Sequence, residues 1–363
     1  MKKLVSFLSG IVLSLCMLHA QDTVQSYIFT DIQSCKAGPV VSQGSSGTCW
    51  CFSTQSFLES ELVRLGKPMV NFSEMYSVYH TYLRKAENYI RRHGTANFDE
   101  GSLGHDAIFA LEHYGMVPES EYSGLREGQD RHDHGKMVKE MKKYLKKALK
   151  KAKGEVPENW EVDIRSILNE YLGTPPATGQ RYGLNPDDYI SFTSFSHQPW
   201  YEQFVLEVPD NWSNGTFYNL PMNELQQLVE HALREGYTVT WDGDVSEKGF
   251  SARRSLAIYP ADPSEAGMAA AMNAPSSESE VSTTQRQKAY DMWDLTDDHL
   301  MHITGLAKDQ NGKLYYKVKN SWGPIGPGQG FLYMSQAYFS YGTISILLHK
   351  DAVPNPLKEK LEL

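Results

Sequence analysis

Hydrophobic residues recur at helical spacing through the first half of the chain. Within residues 53–64 the apolar side chains that share one helical face are Phe57, Leu58, Leu62 and Val63. A serine- and glycine-rich turn, residues 45–48, precedes this segment, so we expect the helix to begin close to Cys49. The same spacing predicts further helices over residues 73–90, 106–113, 136–153 and 222–235.

The last third of the chain has the pattern of β-strands. Runs rich in β-branched and aromatic residues predict strands over residues 237–241, 299–307, 314–319, 330–334 and 343–349. Residues 260–287 are rich in Ala, Ser and Glu and have few large apolar side chains, which predicts a mobile loop that does not pack. Helices in the first part and strands in the last predict an α+β fold.

Composition and charge narrow the class of protein. The 363 residues are 40% hydrophobic and 22% charged, which excludes a disordered chain and a multispanning membrane protein. The 35 basic and 44 acidic residues give a net charge of -9, so we expect no nucleic-acid partner. Nine lysines lie in residues 136–153, and a basic helical stripe of this kind is more often a solvated face than a binding surface.

The start of the chain resembles an export signal. Lys2 and Lys3 precede an apolar run over residues 4–18, which is too short to span a bilayer. We therefore predict a secretory signal peptide, residues 1–20, cleaved near Ala20, with the mature protein periplasmic or secreted and without a stable membrane span.

Cysteine chemistry is the first functional indication. Removal of the signal leaves Cys35, Cys49 and Cys51, so at least one thiol stays free or pairs between chains. The sequence leaves open whether Cys35 pairs with Cys51. No Cys-x-x-Cys pair occurs, so no metal site is expected.

The stretch 43–53 has the features of a nucleophile site. A thiol at the start of a helix lies at the positive end of the helix dipole, which lowers the pKa of the thiol, and this describes Cys49. The backbone N–H of Cys49 and the side-chain amide of Gln43 can both donate to a developing oxyanion. Cys51 lies two positions further on and is expected to be a buried structural residue.

A partner for this thiol lies in the last third of the chain. A cysteine nucleophile needs an imidazole to accept and return its proton, and His299 can supply it. Asn320 can orient the imidazole through its side-chain carbonyl, and Trp322 can shield that hydrogen bond from water. His302 is at an odd offset from His299 on a strand, so we expect it to face the opposite side and be structural.

Together the segments 43–53, 298–301 and 319–323 resemble the papain-like cysteine peptidases. Within them the chain is similar to the bleomycin hydrolase and bacterial aminopeptidase C branch. The Ser-Ser-Gly-x-Cys-Trp motif around Cys49 favours that branch. The sequences of residues 219–221 and 239–245 favour it as well. His299 follows Cys49 by 250 positions, more than the roughly 130 to 150 of papain itself.

The resemblance implies roles and an architecture. It makes Cys49 the nucleophile, His299 the base, Asn320 the orienting residue and Gln43 the oxyanion donor. Gly101 and Ser102 fall where the family usually has Gly-Gly, which contacts the substrate backbone.

The implied fold has two lobes that follow the signal peptide within a single peptidase domain, residues 21–363. Its parts are a helical lobe over about 35–125, a helical insertion over about 126–215, a β-barrel-like lobe over about 216–350 and a tail, 351–363. No metal or organic cofactor is implied, peptides are the expected substrates, and a homo-oligomer, a hexamer in the family, is a possible assembly.

The resemblance favours an aminopeptidase but leaves alternatives. In this branch the tail lies along the cleft, and its carboxylate holds the substrate's α-amine; the short tail here leaves an open-cleft endopeptidase as the alternative. A second alternative is an inactive or binding protein that uses the lysine-rich helix.

The proposed contact between His299 and Asn320 also predicts the geometry of the hairpin that contains them. If the two residues are directly opposed on antiparallel strands, the numbers of all paired residues sum to 619. A tight Asn311-Gly312 turn would break that register, so we predict a longer loop or a bulge.

Overall fold

The computed structural model describes residues 26–363, and the predicted signal peptide lies outside them. The helices of the described residues are α1 (Cys49–Arg64), α2 (Glu74–Arg91), α3 (Gly104–Tyr114), α4 (Gly135–Ala152), α5 (Trp160–Leu172), α6 (Met222–Arg234), α7 (Glu265–Ala271), α8 (Thr283–Asp291), α9 (Gln336–Gly342) and α10 (Asn355–Leu361). The strands are β1 (Thr30–Ser34), β2 (Tyr189–Thr193), β3 (Gln203–Val205), β4 (Thr216–Asn219), β5 (Val239–Gly243), β6 (Phe250–Ser251), β7 (Leu256–Ala257), β8 (His299–Lys308), β9 (Leu314–Lys319), β10 (Phe331–Ser335) and β11 (Thr343–His349). In this part of the chain no helix is long and apolar enough to cross a membrane.

The strands form one mixed sheet. Its order is β3-β4-β2-β11-β5-β8-β9-β10-β7-β6, and β1 pairs separately with β8. The region 126–215, predicted as a helical insertion, supplies α4 and α5 but also β2 and β3, so it is not wholly helical. The predicted α+β class is confirmed.

The described residues form two large hydrophobic cores. One buries residues of α1 to α5, such as Trp50, Tyr82 and Leu168, and the other buries residues of the sheet and α6, such as Trp241 and Ile303. Helix α1 also packs directly against β8. The segment that begins with Cys49 is thereby held against the strand that begins with His299.

The lysine-rich helix is a solvated helix with one buried face. Its buried side chains are Met137, Val138, Met141 and Leu145, and they join the helical core. Burial of these four apolar side chains accounts for α4 without a binding partner.

The prediction that residues 260–287 do not pack is wrong. This stretch contains α7 and the first half of α8. Arg286 of α8 is fully buried, and its guanidinium donates to the carbonyl oxygens of Ser194, Tyr341 and Thr343. A buried arginine that binds backbone carbonyls replaces the apolar anchor that the sequence pattern lacks.

The β8–β9 hairpin has the predicted irregularity. Residues 309–313 connect the strands, and a bulge lies between Ile303 and Gly305. Paired residue numbers sum to 621 at His302–Lys319 rather than 619, so His299 and Asn320 are diagonal neighbours, not directly opposed. Diagonal positions still lie on the same face of a pair of strands, within reach of side chains.

The last segment of the chain lies on α6. Leu357 and Leu361 of α10 are buried in the same cluster as Leu228, and Lys360 Nζ lies 3.0 Å from Glu224 Oε2. Residues 355–361 therefore pack on the outer side of the β-rich lobe as a short helix.

Candidate active site

Cys49 is the first residue of α1, at the end of a tightly held turn. Gly44 begins this turn with φ +65°, and a side chain there would overlap the His132 carbonyl. The Gly47 N–H donates to Glu100 Oε2 at 2.6 Å, and Trp50 Nε1 donates to the Glu100 carbonyl at 3.2 Å. Glu100 thus holds the turn and the start of α1 in place through these two hydrogen bonds.

The Cys49 thiol is buried, which opposes ionisation. Burial raises the pKa of Cys49 to about 12, and Asp297, Asp242 and Asp210 raise it further, whereas a hydrogen bond with the Leu300 backbone lowers it. The predicted lowering of the thiol pKa by the helix dipole is therefore outweighed by burial. Formation of a thiolate requires a cation nearby, which a protonated His299 or a bound substrate can provide.

His299 is held by Asn320. The distance from His299 Nε2 to Asn320 Oδ1 is 2.8 Å, and Asn320 Oδ1 also accepts the Ser321 backbone N–H at 2.7 Å. Burial lowers the pKa of His299 to about 4, against the hydrogen bond to Asn320, which raises it. Because Asn320 occupies Nε2, Nδ1 is the ring nitrogen left for a proton from Cys49.

Trp322 covers the histidine. Its ring centroid lies 4.6 Å from that of His299, and Trp322 is 37% exposed while His299 and Asn320 are each 3% exposed. The indole therefore packs on the imidazole ring of the buried histidine. A hydrogen bond in a site that excludes water is stronger than an exposed one.

Gln43 lies beside the helix start. Its Nε2 donates to the Ser46 carbonyl at 2.6 Å, and its Oε1 accepts the Ser321 hydroxyl at 2.7 Å. The second Nε2 hydrogen remains for a substrate oxygen. Gln43 also links the Cys49 turn to the segment that follows Asn320.

A groove runs past Cys49. Residues 44–47, 97, 99–101, 209–210 and Asp298 line it together with Cys49. A side chain at position 101 would overlap the Asp210 carboxylate, which would have to move. The Ser102 hydroxyl is buried; it donates to Asp106 Oδ2 at 3.1 Å and accepts Trp212 Nε1 at 2.6 Å, so only backbone atoms of Ser102 could serve a substrate.

The other cysteines and His302 lie outside the groove lining. Cys35, Cys49 and Cys51 are all free thiols, so the Cys35–Cys51 pair is not formed. Cys51 is fully buried and donates to the Glu74 carbonyl at 3.3 Å. His302 Nδ1 lies 2.9 Å from Ser56 Oγ, facing α1, as the strand alternation predicts.

Sequence reasoning missed the acidic residues around the thiol. Asp242 lies on β5 opposite Leu300, and Asp210 lies in the region 126–215, far from both in sequence. Asp297 and Asp298 immediately precede His299, and this adjacency was the only available signal. No pattern within one segment could bring Asp210 to the same place.

Fold and site together define a papain-like cysteine peptidase. A family model for the Peptidase C1-like family matches residues 125–363, and the chain belongs to this family. The matched span contains His299 and Asn320, whereas Cys49 precedes it.

Relatives match over most of the chain. The chain is similar to aminopeptidase G of Lactobacillus delbrueckii subsp. lactis, with 23% identity over 89% of this chain and 83% of that protein. It is similar to aminopeptidase C of Listeria innocua, with 24% identity over 93% of this chain and 85% of that protein. Its fold is similar to the crystal structure of PepW from Lactobacillus rhamnosis, with TM-score 0.74 and 19% identity over 92% of this chain and 84% of that one.

Proposed function

We propose that this protein is a thiol aminopeptidase in which Cys49 is the nucleophile and His299 its proton acceptor. The observation that carries the proposal is the buried 2.8 Å contact between His299 Nε2 and Asn320 Oδ1, on the strand packed against the helix that Cys49 begins. Relatives that are named aminopeptidases over most of their length support the exopeptidase assignment.

The reaction follows from these positions. His299 Nδ1 takes the Cys49 proton, and the sulfur attacks the carbonyl carbon of the first peptide bond. The backbone N–H of Cys49 and the free Nε2 hydrogen of Gln43 stabilise the oxyanion. His299 returns the proton to the leaving amine, and water activated by His299 then hydrolyses the thioester.

Asn320 and Trp322 act through His299 in this proposal. Asn320 keeps the ring oriented with Nδ1 toward the thiol, and Trp322 keeps water from their hydrogen bond. Gly101 and the backbone at Ser102 contact the peptide on the other side of the groove. Each of these roles rests on its position relative to Cys49.

The relatives favour an aminopeptidase over the alternative of an open-cleft endopeptidase, and one assay separates the two activities. Residues 355–361 pack on α6, so this segment does not occupy the groove. Matched coumarin amides with a free and an acetylated amino group decide between the two activities. Faster hydrolysis of the free amine, lost in Cys49→Ala, supports the aminopeptidase; equal hydrolysis of both favours the endopeptidase.

We also infer export. The support is the pair Lys2 and Lys3 followed by the apolar run 4–18. Mass spectrometry of the protein from its native host should find a mature chain that begins at Gln21 outside the cytoplasm. A soluble cytoplasmic protein that retains Met1 would contradict export.

A further inference from the structure

Four aspartates form a cluster beside Cys49. We use the name aspartate cluster for Asp210, Asp242, Asp297 and Asp298, which come from three separate segments of the chain. Asp210 and Asp298 line the groove that contains Cys49. Asp297 lines an adjoining cavity of about 260 Å³, which shares Pro209 with the groove. Asp210 and Asp298 are therefore accessible from the groove, and Asp297 is accessible from the adjoining cavity.

Two members of the cluster are buried against each other. The carboxyl groups of Asp242 and Asp297 are within hydrogen-bonding contact, so they can share one proton. Asp242 is 1% exposed, and its Oδ1 has no donor among residues 26–363; the same holds for the buried Oδ2 of Asp297. Burial raises the pKa of both carboxyl groups, so the pair retains the shared proton, and a cation that binds between them would replace it.

The described residues supply little positive charge to the cluster. None of the four carboxylates has a Lys, Arg or His nitrogen within 4.0 Å in residues 26–363. Lys85 is the cation that interacts with Asp210, but its side chain is fully buried and its Nζ donates to the Gly101 carbonyl. Asp210 Oδ1 accepts only a 3.3 Å bond from Asn97 Nδ2.

The cluster acts directly on the nucleophile. Burial is the main cause of the raised pKa of the Cys49 thiol, and Asp297, Asp242 and Asp210 raise that pKa further when they are ionised. A cation bound among them would cancel this effect and favour the thiolate. In a peptide with a free amino terminus, the α-nitrogen lies only roughly 2.5 Å from the first carbonyl carbon. An α-ammonium therefore lies in the groove that Asp210 and Asp298 line when the carbonyl lies at Cys49.

We propose that the aspartate cluster binds the α-ammonium group of the substrate and that this binding promotes ionisation of Cys49. The proposal rests on the proposed aminopeptidase function and names the group that selects a free amine. It assigns to groove residues the role that the tail carboxylate was expected to play. The first residue of the substrate both supplies the scissile carbonyl and brings the charge that activates the thiol.

The test compares Asp297→Asn and Asp210→Asn with Asp294→Asn, an exposed aspartate of the same loop that does not line the groove or the cavity. The readout is the ratio of kcat/KM for alanyl- and N-acetylalanyl-aminomethylcoumarin. We expect this ratio to fall about 10- to 100-fold in the two cluster variants, as for loss of a charge-assisted hydrogen bond, and to stay unchanged in the control. Circular dichroism identifies any variant that fails to fold, and the other variant then decides.

A second measurement follows the thiol without turnover. Alaninamide should accelerate inactivation of the wild type by iodoacetamide, N-acetylalaninamide should not, and the acceleration should vanish in Asp297→Asn. An undiminished ratio in both folded cluster variants would overturn the inference while leaving the aminopeptidase intact. A wild-type ratio near one would instead refute the aminopeptidase function itself.

The cation could also come from a basic side chain. N-acetyllysyl-aminomethylcoumarin carries a side-chain ammonium and no α-ammonium. Slow hydrolysis of this substrate, comparable with that of the acetylalanyl compound, supports recognition of the α-amine. Fast hydrolysis that is lost in Asp297→Asn would assign the cluster to a basic side chain and overturn the proposal.

Discussion

Replacement of Asn320 by alanine tests how far the histidine depends on its neighbour. The His299 Nε2 hydrogen bond to Asn320 Oδ1 measures 2.8 Å, and both side chains are buried. Removal of the acceptor leaves a buried ring nitrogen unpaired, which costs about 1–3 kcal/mol. If the ring turns to recover a partner, that energy is lost from the transition state, so kcat/KM should fall roughly 5- to 150-fold.

The assay is steady-state hydrolysis of the free-amine coumarin amide across pH 5–9. Because Asn320 positions His299 and does not line the groove, we expect kcat to fall with KM nearly unchanged. Asn311→Ala, an exposed side chain in the same hairpin, is the matched control and should keep full activity. Unchanged kcat and an unchanged pH profile in folded Asn320→Ala would refute the orienting role.

Two further predictions concern stability and the last helix. Burial raises the pKa of Glu59 to about 7, so its protonated form stabilises the fold below pH about 4.5, and this contribution is lost as pH rises through 7. The free energy of unfolding in urea should therefore be up to about 3 kcal/mol larger for Glu59→Gln than for the wild type at pH 8. At pH 5 the two proteins should differ little. A gain of equal size at both pH values would contradict this reading. Leu361→Ala should lower the free energy of unfolding by about 2 kcal/mol because Leu361 is buried on α6. The ratio of kcat/KM for the free-amine and acetylated substrates should not change. A changed ratio would indicate that the last segment acts in the groove.

The sequence predicted the elements whose patterns are local. The start of α1 at Cys49, the bounds of β9 and the need for an irregular β8–β9 hairpin all follow from hydrophobic spacing and turn chemistry. The positions of His299 and Asn320 relative to each other also follow, because strand alternation places both on one face. The exact register differs from the expected sum of 619, because the loop sets a sum of 622 at Lys308–Leu314 and the bulge changes it by one, to 621.

Features that depend on distant segments were not predictable. Arg286 anchors α8 through carbonyl oxygens of two distant segments, at Ser194 and at Tyr341 and Thr343, and no local pattern indicates such a site. The raised pKa of Cys49, where the sequence predicts a lowered one, has the same explanation. A helix start is visible in the sequence, whereas the burial of the thiol and the approach of Asp210, Asp242 and Asp297 depend on the complete fold.

The central claim is that Cys49, activated by His299, performs the chemistry. Its most direct test is stoichiometric labelling with iodoacetamide, followed by peptide mass mapping and residual activity against the free-amine substrate. We predict that one equivalent of label on Cys49 accounts for the whole loss of activity and that His299→Ala slows this labelling. Full activity with Cys49 labelled, or inactivation that tracks label on Cys35 or Cys51, would contradict the account.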